Sequence, residues 1–233
     1  MNNNYKLNYQ LNKITISKNF NKMDIKEIEP TTKNIHENIF EEDLTIVINE
    51  IIDLTFEVKV NKKEAIELYQ KATELENRLA QLELAYIYVR EENTDNYKKA
   101  FELSKKLAEE ENPNALNRLG YCYEKGIGAI INMQKAFELY KKAADLGNSH
   151  GINNLGTCYD SGMGAYVNKK KAFDLYYEAA NLENDYAQYN LAAMYENGDG
   201  IKKNIVQAIY WYKKSAEQGV EEAQSKLSEL LKK

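Results

Sequence analysis

One segment of this chain occurs three times at a constant spacing, and this repetition limits the fold more than any other feature. ALNRLGYCYEKGIG begins at Ala115, GINNLGTCYDSGMG at Gly151 and AQYNLAAMYENGDG at Ala187, so the copies start 36 residues apart. A unit of this length cannot bury its own apolar face, and successive copies must therefore stack and share a core. The spacing predicts an elongated helical solenoid whose function is binding.

A second recurring pattern, typified by AFELYKKA at Ala136, marks a second helix in each repeat. Its apolar residues fall three, four and seven positions after the first alanine, which places them on one helical face. An asparagine stands four residues before each such alanine, where its side chain would accept hydrogen bonds from the backbone N–H groups of a starting helix. The predicted N-cap residues are Asn61, Asn96, Asn132, Asn168 and Asn204.

The first helix of each repeat combines a leucine, a small residue and a tyrosine on its buried side, as Leu119, Gly120 and Tyr123 show. The small residue lets the second helix approach closely, although glycine costs about 1 kcal/mol of helix propensity. A Gly-x-Gly sequence such as Gly126 to Gly128 ends each of the three copies given above. It follows a helix and lacks the Lys-Ser/Thr of a phosphate-binding loop, so we interpret it as a helix-ending turn.

Composition excludes several functions. The 31 basic and 36 acidic residues are interspersed and give a net charge of -5, which argues against nucleic acid as a partner. Only 2 proline residues occur, which favours helix throughout. With 2 histidines in the chain, neither a metal site, a cofactor site nor a catalytic triad is predicted, and we expect no enzymatic activity. Cys122 and Cys158 occupy equivalent repeat positions and are predicted to be buried, reduced thiols.

Three regions are predicted along the chain. Residues 1–37 form an Asn- and Lys-rich tail with little structure, residues 38–60 contain an amphipathic helix over 41–58, and residues 61–233 form the repeats. A strand remains an alternative for 41–58. The helix would cap the solenoid, and self-association through it is the alternative role. Without a signal peptide or a long apolar run, we expect no membrane insertion and an intracellular, cytoplasmic location.

The pattern A-x3-LG-x2-Y-x2-G-x-G, followed by KAFELY-x-KAA and a glycine, resembles the Sel-like repeat family, which is related to the tetratricopeptide repeats. The resemblance covers 115–219 closely and extends back to about residue 61. It implies an all-α, α/α superhelical solenoid of four helix pairs, with one more helix near 62–76 and a short closing helix after Ala223. It also implies a non-enzymatic scaffold or adaptor for a protein or peptide in intracellular signalling or complex assembly. The alternatives are a regulatory subunit in protein quality control or cell-wall synthesis, and a homo-oligomeric architectural protein.

In tetratricopeptide-like arrays the first helices line a concave groove, and this resemblance predicts the partner-binding residues. They are Asn117, Tyr121, Glu124, Lys125, His150, Asn153, Thr157, Asp160, Tyr189 and Glu196, with Tyr86 and Arg90 from the more divergent copy. The Asn117 and Asn153 amides would bond the backbone of an extended peptide, and Tyr121 and Tyr189 would supply flat apolar contact. The acids Glu124, Asp160 and Glu196 recur in the last turn of their helices, where the helix dipole disfavours a negative charge. Their repetition is therefore consistent with a role in binding, and a solvated acidic face is the alternative.

Overall fold

A computed structural model describes residues 62–74, 77–90 and 93–232. The predicted tail over 1–37, the predicted helix over 41–58 and the predicted N-cap Asn61 lie outside these ranges. The chain divides into two units, residues 1–80 and 81–233. In the first unit, Tyr69 and Ala72 of the first helix are buried, and the Asn77 side chain accepts a 2.8 Å hydrogen bond from the Ala80 amide.

The described part of the chain contains ten α-helices and no strand, which confirms the predicted all-α fold. The helices are α1 Lys62–Glu74, α2 Arg78–Arg90, α3 Thr94–Glu109, α4 Pro113–Lys125, α5 Met133–Asp145, α6 Ser149–Ser161, α7 Lys169–Asn181, α8 Asp185–Asn197, α9 Ile205–Glu217 and α10 Glu221–Leu230. From α3 to α10 each helix contacts the next in order, and α4, α6 and α8 also contact one another in succession. This pattern is a stack of helix pairs.

Among the described residues, asparagine side chains start three of the second helices as predicted, and the prediction fails for α3. Asn132, Asn168 and Asn204 accept hydrogen bonds from backbone N–H groups in the first turns of α5, α7 and α9, which confirms these three caps. The prediction for Asn96 was wrong, because Asn93 caps α3 and accepts from the Asn96 amide itself. No Gly-x-Gly turn precedes α3, so this helix starts one turn earlier and has 16 residues, whereas α5, α7 and α9 have 13.

A second row of asparagine caps, on the first helices, was missed in the sequence although its residues are equally regular. Asn112, Asn148 and Asn184 cap α4, α6 and α8. Two of them also reach the preceding first helix: Asn148 Nδ2 donates to Asn114 Oδ1 at 2.7 Å, and Asn184 Nδ2 lies 2.9 Å from His150 Nδ1. These asparagines therefore start one helix and tie it to its neighbour.

The same aromatic contact recurs at three successive junctions between repeats, from α3 to α8. Phe101 of α3 meets Tyr123 of α4 edge to face, with ring centroids 5.5 Å apart. The equivalent pairs are Phe137 with Tyr159 at 5.6 Å and Phe173 with Tyr195 at 5.4 Å. Edge-to-face pairs add about 0.5–1.5 kcal/mol beyond the area that they bury. The predicted packing role of Tyr123, Tyr159 and Tyr195 is thereby confirmed.

Cys122 and Cys158 are free thiols with no exposed surface. Burial raises the pKa of Cys122 to about 11 and that of Cys158 to about 12, because a thiolate is poorly solvated there. Since the folded pKa exceeds the unfolded value, these groups favour the folded state below about pH 8.5, and this contribution is lost as the pH rises through the folded pKa.

We expect both thiols of the folded chain to be unreactive toward a disulfide reagent such as 5,5′-dithiobis(2-nitrobenzoate) at pH 8. The thiolate is the reactive form, and the raised pKa values and burial keep it scarce. Two equivalents of thionitrobenzoate should appear promptly in 6 M guanidinium chloride and at least 100-fold more slowly without it. Equal rates in the two solutions would contradict the buried placement.

Candidate partner-binding surface

Side chains of α4, α6 and α8 form one continuous surface, because these first helices lie next to one another. We call this surface the first-helix face and define it by Asn117, Tyr121, Asn153, Asn154, Tyr189 and Asn190. Four of these six residues were predicted from the sequence, namely Asn117, Tyr121, Asn153 and Tyr189.

A chain of amide hydrogen bonds crosses the first-helix face. Asn154 Nδ2 donates to Asn117 Oδ1 at 2.9 Å, and Asn153 Nδ2 donates to Asn154 Oδ1 at 3.2 Å. Asn190 Nδ2 continues the chain by donating to Asn153 Oδ1 at 3.0 Å. Asn153 is buried, with 7% of its surface exposed. The amides thus bind one another across three helices, and Asn117 and Asn190 at the two ends keep further hydrogen-bonding groups at the surface.

Two of the predicted acidic residues accept hydrogen bonds from core tyrosines. The Tyr140 hydroxyl donates to Glu124 Oε2 at 2.7 Å, and the Tyr212 hydroxyl donates to Glu196 Oε2 at 2.8 Å. Burial, together with the neighbouring carboxylate, raises the pKa of both tyrosines well above its usual value, so the hydroxyls remain donors. Each of these two glutamates thus provides an acceptor for a tyrosine hydroxyl at the edge of the core.

In the middle repeat, the equivalent carboxylate and the equivalent tyrosine hydroxyl have different hydrogen-bond partners. Asp160 has a side chain one methylene shorter than glutamate, and it accepts from Lys169 Nζ at 2.7 Å. The Tyr176 hydroxyl donates instead to Thr157 Oγ1 at 3.1 Å. Thr157 in turn donates to the Asn153 carbonyl at 3.2 Å. Thr157 and Asp160 therefore have structural partners within their own repeat.

The remaining predicted residues are more accessible. Tyr121 is 37% exposed, and Lys125 Nζ lies 5.7 Å from its ring centroid while pairing with Glu124 at 2.6 Å. The hydrogen bond to Glu124 raises the pKa of Lys125. Tyr189 packs against Tyr212 with ring centroids 5.5 Å apart. His150 is exposed, next to Asn184.

Two arginine side chains, Arg90 and Arg118, contact Tyr86 in the second unit. Arg90 Nη1 donates to the Tyr86 hydroxyl at 2.6 Å, and the guanidinium carbons of Arg90 and Arg118 lie 5.4 and 5.0 Å from the ring centroid. Burial lowers the pKa of Arg118, and the charge of Glu83 opposes that effect. Tyr86 and Arg90 were predicted to belong to the surface, whereas Arg118 was not.

Sequence reasoning missed Asn154, Asn190 and Arg118. These three residues stand at one repeat position, each 36 residues from the next, and that regularity was the available signal. Asn154 and Asn190 each bond to an asparagine 37 residues away, and Arg118 contacts the ring of Tyr86. A search for identical spacings does not find such contacts, because they join different repeat positions.

Within 62–74, 77–90 and 93–232, no group of three or more His, Cys, Asp or Glu side chains is arranged to hold a metal ion. Over the same ranges, no helix has the length and apolar content needed to span a bilayer. Stacked helix pairs that present amides and tyrosines from successive first helices define a helical-repeat protein.

Comparison with known families identifies which repeat this is. The Sel1 repeat model matches residues 54–77, 78–112, 113–148, 149–184 and 185–220, and the chain therefore belongs to the Sel1 repeat family. These limits agree with the helix pairs, since each match from 113 onward begins at the first residue of a first helix. Sel1 repeats commonly mediate protein–protein interaction and are generally non-catalytic scaffolds. No curated protein matches the chain.

Solved structures with this fold include a Sel1 repeat protein from Oxalobacter formigenes, which is 31% identical, with a TM-score of 0.62 over 72% of this chain and 67% of that one. The protective antigen c5321 of uropathogenic Escherichia coli is 24% identical, with a TM-score of 0.59 over 83% of this chain and 43% of that one. Immunity protein Pa5087 of Pseudomonas aeruginosa is 22% identical, with a TM-score of 0.58 over 85% of this chain and 71% of that one. The last two similarities concern the fold alone.

Proposed function

We propose that this protein is a non-enzymatic scaffold that holds an extended peptide segment of a partner protein on the first-helix face. Such a role fits an adaptor in intracellular signalling or complex assembly. The observation that carries the proposal is the row of amides across α4, α6 and α8, flanked by Tyr121 and Tyr189.

The amide chain explains how the face would recognise a main chain. Asn153 is buried and uses its oxygen and its amide nitrogen on neighbouring asparagines, so it orients them. Asn117 Nδ2 and Asn190 Oδ1, at the ends of the chain, would donate to and accept from a peptide backbone. Tyr121, over a third exposed, offers a flat apolar surface with little conformational entropy to lose.

The test is a selection of 12-residue peptides from a random displayed library on the full chain, followed by fluorescence anisotropy titration of the enriched peptides. We expect Asn117→Ala combined with Tyr121→Ala to weaken their binding at least 10-fold, because one amide contact and one aromatic contact to the peptide are removed. The variant avoids Asn153, because Asn153 is itself buried and bonds to both Asn154 and Asn190. Asn117→Ala removes the acceptor of one part-buried donor, the Asn154 amide nitrogen.

The matched control is Tyr210→Ala on α9, which removes a tyrosine that is 48% exposed on a second helix. It should leave affinity unchanged, and circular dichroism should show equal helix content in all variants. Peptides that bind the Asn117→Ala, Tyr121→Ala variant as tightly as the original chain would refute the proposal.

A further inference from the structure

The loops after α4, α6 and α8 present a second surface that the proposed function does not use. At equivalent positions they carry Ile130 and Ile131, then Tyr166 and Val167, then Lys202 and Lys203. We call these six residues the loop edge. It runs across three successive repeats and changes from apolar to basic along its length.

The apolar residues of the loop edge are unusually accessible. Ile130 is 91% exposed and Tyr166 is 96% exposed, while Ile131 and Val167 are each 58% exposed. Single exposed apolar side chains are common on protein surfaces, but a contiguous apolar patch marks an interaction site. Here four highly accessible apolar side chains occur in two successive loops at equivalent positions, which favours an interaction site.

The loops are neighbours because each packs on the helix that follows the loop before it. A Cβ atom on Gly164 would lie 2.5 Å from the Met133 carbonyl oxygen, at the start of α5 directly after the first loop. A Cβ atom on Gly200 would lie 2.8 Å from Lys169, at the start of α7 after the second loop. Helices pack about 8–10 Å apart, so the edge advances by about 10 Å per repeat.

A recess of about 620 Å³ opens beside the middle loop. Tyr166 and Val167 form one side of it, and the rings of Phe137 and Tyr159 contribute to its lining. These two rings also make an edge-to-face pair with each other. A protruding apolar side chain of a partner would find contact there.

The loop after α8 gives the loop edge a basic end. Lys202 and Lys203 are exposed, and no carboxylate of the described residues lies within ion-pair distance of either ammonium group. The same loop contributes one carboxylate, Asp199, so its balance is positive. Acidic residues of a partner would complement these lysines.

We propose that the loop edge binds a linear segment of a different protein in which apolar side chains lead to Asp or Glu residues. The step of about 10 Å between loops corresponds to about three residues of extended chain or about seven residues of helix. Two apolar residues and an acidic residue at one of these spacings would meet the isoleucines, Tyr166 and the lysines in turn.

The experiment is a selection of random displayed 16-residue peptides on the full chain, with counter-selection on the variant Ile130→Ser, Tyr166→Ser. Enriched peptides should contain two apolar residues followed by Asp or Glu at either spacing. Anisotropy titration should show at least 10-fold weaker binding to the counter-selection variant and to Lys202→Glu, Lys203→Glu.

Two matched controls should bind these peptides like the original chain. Leu146→Ser, Leu182→Ser replaces apolar residues that are 49% and 51% exposed at the ends of α5 and α7. Lys105→Glu, Lys106→Glu reverses two adjacent exposed lysines of α3.

Three results would overturn the proposal. The first is failure to enrich any peptide over the counter-selection variant. The second is enrichment of peptides without acids, or of peptides that ignore the Lys202 and Lys203 changes. The third is sedimentation showing that the original chain self-associates while Ile130→Ser, Tyr166→Ser does not, because the occupant would then be a second copy.

Discussion

Gly128→Ala is expected to lower the free energy of unfolding by about 2–4 kcal/mol, since a left-handed backbone and overpacking both oppose a side chain there. Gly128 has φ +67°, and an added Cβ would lie 2.4 Å from the Tyr97 carbonyl oxygen and 2.6 Å from Phe101 Cβ. The contacted carbonyl belongs to the backbone of α3, so it cannot move away to make room for a methyl group. Urea denaturation followed by circular dichroism measures the loss.

Gly147→Ala separates the two causes. Gly147 has φ +78°, but an added Cβ would have no atom within 4 Å, so only the backbone conformation opposes alanine. We expect this variant to lose about 1 kcal/mol. If Gly128→Ala lowers the free energy of unfolding by no more than Gly147→Ala, the loop does not pack closely on α3.

Tyr140→Phe should lower the free energy of unfolding by about 1.5–3 kcal/mol, the range for a hydrogen bond to a charged group. The change removes the donor to Glu124, whose side chain is only 17% exposed, and leaves its pair with Lys125. The ring of Tyr140 is fully buried and its packing is retained in phenylalanine. Urea midpoints at constant slope measure the effect.

Tyr176→Phe is the matched control, because Tyr176 occupies the same repeat position but donates to the neutral Thr157 hydroxyl. Its loss should be smaller, about 0.5–1.5 kcal/mol. An equal loss from the two variants would show that the carboxylate partner adds nothing, and would remove the structural reason for the recurring glutamates.

The repeat pattern was sufficient to predict the helices, but it predicted their contacts unevenly. Asn132, Asn168 and Asn204 were identified as caps because capping depends on local spacing, which repeats faithfully. Asn96 was misassigned because Asn93 competes for the same helix start where the preceding turn lacks Gly-x-Gly. Local competition between two equally suitable residues is not visible in a periodicity.

The partner-binding residues were harder to predict, because their contacts join different repeat positions. Glu124 and Asp160 are equivalent in sequence, yet one methylene of side-chain length gives them different partners, Tyr140 and Lys169. Asn153 was expected to face a peptide and instead lies within an amide chain. Such outcomes depend on reach and burial in three dimensions. The role of the predicted surface in binding stays a prediction.

The phenylalanine–tyrosine contact between consecutive repeats has an evolutionary consequence. Its centroid distances at three junctions are 5.5, 5.6 and 5.4 Å, so this contact keeps nearly the same geometry from one junction to the next. Duplication or deletion of one whole repeat in the gene would create a junction of the same kind between residues already suited to it. The number of repeats is therefore able to change while this aromatic contact is kept.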